Sequence, residues 1–437
     1  MNKASEIKCD LCVIGTGTTG MAAALCAANR GLTTVQVGQA GEILFASGLL
    51  DLMGVYPIAK KKIWRDPWAG ITALNRDLSM HPYTRLEKEN IRKALDEFLA
   101  FLNSAGVVYK RHLNRNSEVV TALGTTKLTY AVPLPMWQGV KALKNKSACL
   151  LIDIRGLKGF SARQIAQTLA TKWPDMRTAR VEFPDSAAFS EVYAERLARS
   201  LESPQTRKQF AKTLQPLLNG AQIVGLPAIL GISKSTEVMS DLERLLGVPI
   251  FEIPTMPPSP SGLRLKEAFE RHLPSHGVRL FSQHRVRHVQ TKANRRFAAE
   301  IGDSCAEGLV RPRGIILATG RFIGRGLQAD RHEIRETLFN LPVHQPAERA
   351  QWHNKEFLDP AGHPINRAGL EIDDRFRPLN KRGKPVHKML FAAGSILAHQ
   401  DWMRMKCGSG LAIATAYGAV MSFISLSKYK APLLAGK

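Results

Sequence analysis

The sequence has few cysteines, and they form no recognisable pattern. Six cysteines are scattered through 437 residues, at positions 9, 12, 26, 149, 305 and 407. No disulfide or zinc spacing recurs among them, which excludes a small disulfide scaffold and favours a reducing compartment. Cys9 and Cys12 resemble a CxxC pair. They lie in an apolar strand, however, where an odd offset points the two side chains to opposite faces. We therefore expect packing rather than redox or metal chemistry.

Acidic residues and aromatic residues are also scarce. Asp and Glu number 37 against 61 Lys and Arg, which gives a net charge of +24, and aromatic residues make up 7% of the chain. Such a charge favours acidic partners such as phosphates, anionic lipid or nucleic acid. The basic runs at 60–62, 110–112 and 292–296 lack the repeated aromatic residues of a base-stacking surface. We expect solvated faces there and no nucleic acid.

The chain has no low-complexity tract, no internal repeat and no unambiguous membrane span. Two stretches carry no charge, 11–29 and 408–427. The first is interrupted by three glycines and three threonines, which fits neither a signal peptide nor a span. The second is long enough to span a membrane, but its glycines, serines and threonine favour a buried helix. The sequence indicates a soluble, cytoplasmic chain, with peripheral membrane association left open.

The N-terminus reads as a strand, a glycine loop, a helix and a second strand. The expected strands are Ile7–Ile14 and Thr33–Val37, with a helix over Met21–Arg30 between them. The loop has the GxGxxG pattern. Its first glycine permits a tight turn, its second lets a phosphate approach the backbone, and its third lets the helix pack on the strand. This pattern predicts a dinucleotide or flavin site at Gly15, Gly17, Thr18 and Gly20.

The second strand lacks the carboxylate that would hold an adenosine ribose in such a site. It ends with Val37-Gly38-Gln39. Either Gln36 or Gln39 substitutes for the acid, or the ligand has no adenosine. Because the charge-assisted hydrogen bond to the ribose is missing, the sequence favours FMN, with FAD as the alternative.

Two later segments favour a flavin over a nicotinamide. Leu317–Gly320 resembles the strand end of two-dinucleotide flavoproteins, and Leu390–Ser395 followed by Gly408–Gly410 resembles their final motif. The last glycines open a helix whose N-terminus supplies donors where a reduced flavin gains negative charge. The further cofactor-binding residues predicted here are Thr319, Gly320, Gly394, Ser395, Gly408, Ser409 and Gly410. No metal site is predicted.

The remaining pattern predicts an α/β protein: a Rossmann-like FAD/NAD(P)-binding flavoprotein fold with an inserted second α/β domain. The middle of the chain alternates helical and strand-like stretches, and Pro254–Pro260 excludes both helix and inner strand. The expected domains are the N-terminal part of the flavin-binding domain at 1–80, an inserted substrate or partner domain at 81–261, and the C-terminal part of the flavin-binding domain at 262–437.

Motifs along nearly the whole chain resemble the B subunits of anaerobic glycerol-3-phosphate dehydrogenase, and more broadly the fumarate-reductase-type flavoproteins. They are Phe45–Leu52, His81–Tyr83, Leu123–Thr125, Pro254–Ser259 with Gly262–Leu265, Ile334–Glu336, Arg377–Leu379, Phe391–Ser395 and Cys407–Gly410. The resemblance adds Ser47 and Gly48 to the cofactor-binding residues. The segment 396–401 departs from the glycine-rich turn expected after Ser395.

The resemblance implies a complex of an FAD-containing A subunit, this B subunit with FMN, and an iron–sulfur C subunit that anchors the complex to the membrane. Such a complex oxidises sn-glycerol 3-phosphate to dihydroxyacetone phosphate and passes the electrons to quinone. Within it, this chain would either oxidise the substrate or relay its electrons, and the sequence leaves both open. The chain would then be cytoplasmic, peripheral on the inner face of the cytoplasmic membrane. The alternatives are a stand-alone fumarate-reductase-like flavin oxidoreductase and a non-catalytic basic scaffold.

The sequence leaves the catalytic residues unknown. Alcohol oxidation by a flavin needs a base for the hydroxyl proton, and His81 and His399 are the candidates. Arg264 and Arg335 could bind a phosphate or carboxylate through bidentate contacts. The competing interpretation is a loop histidine for each base, and helix-surface pairs with Glu267 and Glu336 for the arginines.

Overall fold

The fold is known from a computed structural model that describes residues 5–39, 42–184, 191–291, 296–303 and 305–427. The strands are β1 (Ser5–Ile14), β2 (Thr34–Gly38), β3 (Tyr109–Arg111), β4 (Ser117–Val120), β5 (Thr126–Thr129), β6 (Ala131–Pro133), β7 (Cys149–Ile154), β8 (Met176–Val181), β9 (Ile223–Pro227), β10 (Ile250–Ile253), β11 (Val278–Ser282), β12 (Arg285–Thr291), β13 (Phe297–Gly302), β14 (Gly308–Leu317), β15 (Leu327–Ala329), β16 (Ile334–Glu336) and β17 (Leu390–Ala392). The helices are α1 (Thr18–Ala28), α2 (Pro67–Asp77), α3 (Lys88–Ser104), α4 (Leu134–Asn145), α5 (Ala162–Leu169), α6 (Ala194–Ser200), α7 (Pro204–Leu214), α8 (Ser235–Leu246), α9 (Pro260–His272), α10 (Trp402–Met405) and α11 (Gly408–Ser427). Most of the basic run at 292–296 lies outside the described residues.

The chain forms two compact units. The first takes in the described residues within Met1–Glu42, Asp51–Phe98 and Phe269–Lys437, and the second takes in Ile43–Leu50 and Leu99–Ala268. These units differ in their limits from the domain ranges drawn from the sequence, 1–80, 81–261 and 262–437, which stay a prediction.

The first unit is built on a mixed sheet of seven strands in the order β11-β2-β1-β14-β13-β12, with β17 also paired to β14. Strand β1 lies parallel to both β2 and β14. Helix α1 connects β1 to β2, so the predicted strand–loop–helix–strand unit is confirmed. Burial explains the apolar sequence of β1, since Leu11 to Val13 are fully buried. The Cys9 and Cys12 thiols are buried in the same strand, which agrees with packing.

Helix α11 is the uncharged C-terminal helix expected from the sequence. It is long and apolar enough to cross a membrane, yet 67% of its apolar window is buried among the protein's own residues. Its neighbours include α1, and Arg30, two residues after α1, stacks over the Tyr417 ring at 5.0 Å. This burial is that of a core helix.

The second unit has its own α/β core. Its sheet is parallel, with strands in the order β10-β9-β7-β8. Trp173 stacks on Phe251 with ring centroids 6.1 Å apart, inside a buried cluster of aliphatic side chains. Pro204 is the first residue of α7. Pro260 likewise opens α9, although helix was not expected at 254–260, because the first turn of a helix needs no N–H from that residue.

Candidate functional site

Two glycines of the N-terminal loop are required by close backbone contacts. Gly15 has a φ of +129°, and a Cβ atom there would lie 2.1 Å from the Ala318 carbonyl oxygen at the end of β14. A Cβ atom on Gly20 would lie 2.0 Å from the Gly15 carbonyl oxygen. The structure thus brings the predicted Gly15–Gly20 loop and the predicted strand end at 318–320 together.

The N-terminus of α1 has no side-chain cap among the described residues. Gly17 is its N-cap residue, and within this described stretch no acidic residue lies in its first turn. A Cβ atom on Gly17 would have no described atom within 4 Å. The first residue of the helix is Thr18. Unpaired N–H groups and the positive end of the helix dipole therefore point to a position that suits a phosphate.

Thr319 lies beside this loop through its backbone, and its hydroxyl oxygen would lie 2.4 Å from a Cβ atom on Gly326. This hydroxyl oxygen is buried and has no hydrogen-bond partner among the described residues. A Cβ atom on Gly15 would be 3.3 Å from the Thr319 backbone nitrogen, and the next residue, Gly320, has a φ of +68°. A buried hydroxyl usually finds a partner. A ligand at this strand end would supply one.

The motif after β17 lies against the same helix. Gly394 has a φ of +79°, and a Cβ atom there would lie 2.0 Å from the Thr19 hydroxyl oxygen. The Gly394 N–H donates to the Thr415 hydroxyl of α11 at 2.8 Å. Strand β17, helix α1 and helix α11 therefore meet at Gly394.

The Arg321 guanidinium holds the segment that follows Gly394. It donates to the carbonyl oxygens of Ser395 at 2.7 Å, Gln400 at 3.0 Å and Leu397 at 3.3 Å, and also to that of Asn366. The buried Gln400 amide donates to the Leu397 carbonyl at 2.9 Å. A guanidinium and an amide thus order the backbone where a glycine-rich turn was expected.

The first turn of α11 is partly engaged within the first unit. The Gly410 N–H donates to the Asp51 carbonyl at 2.7 Å. A Cβ atom on Gly410 would lie 2.7 Å from the Tyr83 hydroxyl, which itself donates to the Leu52 carbonyl at 2.8 Å. The structure therefore brings the predicted Gly408-Ser409-Gly410 turn close to the His81-Pro82-Tyr83 motif.

Ser47 and Gly48, which the resemblance added, belong to the second unit. Gly48 has a φ of +81°, and its carbonyl accepts a hydrogen bond from the Tyr109 hydroxyl at 2.7 Å. A Cβ atom on Gly48 would be 2.9 Å from the Ser261 Cβ. The contacts described for Gly48 are structural, and a cofactor role for both residues stays a prediction.

Both glutamines named for the second strand have partners. Gln36 is buried, and its amide donates to the Gly15 carbonyl at 2.9 Å, so it supports the glycine loop. Gln39 donates to an Asp303 carboxylate oxygen at 3.1 Å and accepts from Arg285 at 2.7 Å. The exposed Asp303 carboxylate thus lies next to the end of β2, although it comes from the turn between β13 and β14.

His81 is fully buried in the first unit. Its Nδ1 accepts a hydrogen bond from the Tyr83 N–H at 3.1 Å, so the neutral ring carries its proton on Nε2. Nε2 has no partner among the residues described. Burial, followed by the charge of the nearby His399, lowers the pKa of His81 to about 3. The ring is therefore a neutral donor at physiological pH, and Nδ1 is not available to take a proton.

His399 lies near two other titratable groups. Its Nε2 is 2.8 Å from the Glu371 Oε1 atom, and the His344 Nδ1 atom is 3.5 Å from the same oxygen. The two imidazole centroids are 4.2 Å apart. Burial and the His399 charge lower the pKa of His344. His81 and His399 thus share one region, but only His399 has a carboxylate partner.

The arginine candidates have carboxylate partners other than those expected. Arg264 is buried and makes a bidentate ion pair with Glu252, at 2.7 Å for both hydrogen bonds, instead of pairing with Glu267. Its Nε donates to the Gly231 carbonyl. Arg264 therefore has a structural role within the second unit, and the helix-pair interpretation was wrong because the partner comes from β10.

Arg335 lies on the surface and pairs with Asp330 and, at 3.4 Å, with Glu333. The expected partner, Glu336, is buried and accepts hydrogen bonds from the N–H groups of Leu338 and Phe339. In a strand, neighbouring side chains point to opposite faces, so Arg335 and Glu336 do not meet.

Comparison with known proteins fits this geometry. The profile of the family described as FAD binding domain matches residues 10–411. The chain belongs to this family. One relative, from Vibrio cholerae serotype O1, is named as the B subunit of anaerobic glycerol-3-phosphate dehydrogenase and is 29% identical over 95% of this chain and 96% of the relative. Another, from Halobacterium salinarum, is named as a probable B subunit of the same enzyme and is 30% identical over 94% of this chain and 97% of the relative.

A solved structure with a similar fold is 3-ketosteroid Δ1-dehydrogenase from Sterolibacterium denitrificans. It is 11% identical and covers 96% of this chain and 99% of its own, with a TM-score of 0.42. That likeness is too low to bear on function.

The family membership confirms the predicted flavoprotein fold and the resemblance to these B subunits. The chain is a flavin-binding oxidoreductase of the dehydrogenase type. The preference for FMN finds no support, because the family is described by FAD binding. That preference rested on the missing carboxylate after β2 and on the resemblance. In the structure, an Asp303 carboxylate oxygen lies 3.1 Å from the Gln39 amide nitrogen at the end of β2.

Several residues of this region could not be found from the sequence. Arg321 directly follows a predicted strand end, and that position was its only signal. Asp303, His344 and Glu371 belong to no motif, since they reach their partners only through non-local folding.

Proposed function

We propose that the chain is the FAD-carrying B subunit of a quinone-linked anaerobic glycerol-3-phosphate dehydrogenase, a glycerol-3-phosphate:quinone oxidoreductase. The relatives' names supply the complex and the substrate class. The flavin assignment rests on the N-terminus of α1. Gly17 is its N-cap residue, no side chain among the described residues caps the helix, and a Cβ atom on Gly17 would have no described atom within 4 Å.

The residues fit FAD better than FMN. The three-glycine loop with open space at Gly17 suits a pyrophosphate, which FAD has and FMN lacks. Asp303, held beside Gln39, offers the carboxylate that an adenosine ribose needs near the end of β2. The buried Thr319 hydroxyl supplies a further polar contact at the strand end. When bound, the flavin supplies the capacity to accept and release electrons.

This chain's own residues would hold the cofactor and exclude water from it. The N-terminus of α1 would bind the pyrophosphate. Arg321 orders the backbone after Gly394, and α11 closes the same region through Thr415. His81 offers a neutral N–H donor in a fully buried position, which suits a carbonyl or another acceptor and not a substrate hydroxyl proton.

Within the complex, we assign this subunit electron transfer and not substrate oxidation. Arg264 and Arg335, the candidates for the substrate phosphate, are both paired with carboxylates. His81, one of the two base candidates, is neutral and already accepts a hydrogen bond on Nδ1. The FAD-containing A subunit implied by the resemblance would oxidise glycerol 3-phosphate, and the iron–sulfur C subunit would lead electrons to quinone.

The test compares the purified chain with the reconstituted complex. The chain alone, loaded with flavin, should not reduce a dye acceptor when sn-glycerol 3-phosphate is added, whereas the complex should. Dye reduction by the chain alone would contradict the transfer role and favour a stand-alone dehydrogenase. A chain that purifies without flavin would contradict the flavoprotein assignment itself.

We place the complex at the inner face of the cytoplasmic membrane, with the chain in the cytoplasm. The net charge of +24 supports attraction to anionic lipid or to acidic subunits. Screening at about 0.15 M salt limits such attraction to roughly 8 Å. Co-purification with the partner subunits should therefore weaken steeply as salt rises, and retention that ignores salt would argue for an apolar interface.

A further inference from the structure

Two histidines and one glutamate of the first unit converge on a single position. The ligand atoms of His344, Glu371 and His399 all lie within 4.8 Å of one another. Glu371 Oε1 lies 2.8 Å from His399 Nε2 and 3.5 Å from His344 Nδ1. Two imidazole nitrogens and one carboxylate oxygen form the donor set of three-ligand zinc sites, which keep a fourth position open.

We propose that His344, Glu371 and His399 bind a divalent metal ion of the zinc class. In a tetrahedral site with metal–ligand distances of about 2.0–2.2 Å, the ligand atoms are separated by roughly 3.3–3.5 Å. The glutamate–His344 distance already has that value. The glutamate–His399 distance must open by about half an ångström. The two histidine nitrogens lie within 4.8 Å of each other and must adopt the same tetrahedral spacing.

The backbones that carry the three ligands are already tied together. The His344 N–H donates to the Gly369 carbonyl at 2.8 Å, and the Gly369 N–H donates back at 3.1 Å. The Leu370 N–H donates to the Ile396 carbonyl at 2.8 Å, and the His399 N–H donates to the Arg367 carbonyl at 3.0 Å. These bonds fix the three ligand positions without a metal, so little ordering is required when the ion binds.

Solvent exposure of the ligands and their nitrogen donors both favour an ion of the zinc class. The side chains of His344 and Glu371 are 44% and 39% exposed, so an ion can enter from solvent and keep water in the open position. Nitrogen donors suit zinc and its neighbours, whereas magnesium and calcium prefer a full set of oxygens. The site would link the chain segments around 344 and 371 to the segment that follows Gly394 and Ser395.

The test is a competition titration of the flavin-loaded full chain against a chromophoric zinc chelator. It should be done on a Cys305→Ser background, because Cys305 is an exposed thiol that could bind zinc by itself. The chain should take up one equivalent of Zn²⁺. His344→Ala and Glu371→Gln should each weaken binding by about tenfold or more, since even outer-shell losses cost 10- to 100-fold. An excess of Mg²⁺ should not compete.

His353→Ala is the matched control, because His353 is an exposed histidine of the same unit that lies near His363 and not near this carboxylate. It should bind zinc as the parent does. Zinc should also raise the melting temperature of the parent and of His353→Ala but not of His344→Ala, which is a partly exposed position where folding is not at risk. A parent that binds no stoichiometric zinc, or a His353→Ala variant that loses as much affinity as His344→Ala, would overturn the proposal.

Discussion

Gly394 packs directly against Thr19, so closely that a Cβ atom at position 394 would lie 2.0 Å from the Thr19 hydroxyl oxygen. Thr19 belongs to the first turn of α1, and Gly394 follows β17 near the other end of the chain. A residue larger than glycine at 394 would push the two elements apart. This contact brings together the N-terminal and C-terminal segments of the predicted flavin site.

Gly17→Val should remove the flavin and leave the fold intact. A side chain at 17 meets open space in the protein, so it should cost little stability, but it would occupy the approach to the α1 N-terminus. We expect flavin affinity to fall by about tenfold or more, which corresponds to a loss of at least about 1.4 kcal/mol in binding free energy. Flavin content and the urea unfolding midpoint measure the two effects separately.

Gly20→Ala serves as the contrasting variant in the same loop. Its Cβ atom would lie 2.0 Å from the Gly15 carbonyl oxygen, so this change should lower stability itself. If Gly17→Val kept stoichiometric flavin, the phosphate assignment would be wrong.

Arg264→Met should strongly destabilise the protein. The change leaves Glu252 buried without its bidentate partner, with side-chain exposures of 3% and 0% for the pair. Breaking such a buried pair costs about 3–5 kcal/mol. Arg199→Met is the control, since Arg199 is half exposed and its pair with Glu267 should contribute less than about 1 kcal/mol. Equal unfolding free energies for the two variants would contradict a structural role for Arg264.

His81 should make stability fall as the pH is lowered. Its folded-state pKa of about 3 lies below the ordinary value of 6.5, so between these values the unfolded chain binds a proton that the folded chain does not. The contribution of His81 to the free energy of unfolding is therefore complete above pH 6.5 and decreases below it. From pH 7.5 to 5 the loss should be about 2 kcal/mol.

His81→Asn isolates this contribution, because the asparagine oxygen can still accept from the Tyr83 N–H but does not titrate. Urea unfolding of the parent and the variant at pH 7.5 and pH 5 gives the difference. The parent should lose about 2 kcal/mol more than the variant. An identical pH dependence would show that His81 is not held neutral by burial.

Arg321→Ala should loosen the segment after Gly394. Its guanidinium donates to several backbone carbonyls there, and each hydrogen bond to a charged group is worth about 1.5–3 kcal/mol. We expect a loss of about 3 kcal/mol or more in stability, together with faster flavin release. The exposed Arg331→Ala is the control and should change neither. Unchanged flavin release in Arg321→Ala would show that this arginine does not contribute to cofactor binding.

Local patterns made the first unit's core predictable. Strand β1, helix α1 and strand β2 follow one another in the chain, and the glycine loop between them is a local sequence signal. Gly15 also needs its close contact with Ala318, which the sequence does not display.

Partners distant in sequence could not be predicted. Arg264 was expected to pair along its own helix with Glu267, whereas folding places Glu252 of β10 beside it. The carboxylate that lies beside Gln39 at the end of β2 belongs to Asp303, which is 264 residues away in the chain. Such contacts depend on tertiary packing, which periodicity and motif spacing do not encode.

Identification of the flavin that the purified chain carries tests the central claim most directly. The cofactor would be released by heat and analysed by chromatography and mass spectrometry, with Asp303→Ala prepared in parallel. We expect FAD in the parent, close to one per chain, and a reduced content in Asp303→Ala. Release of FMN, or of no flavin at all, would contradict it.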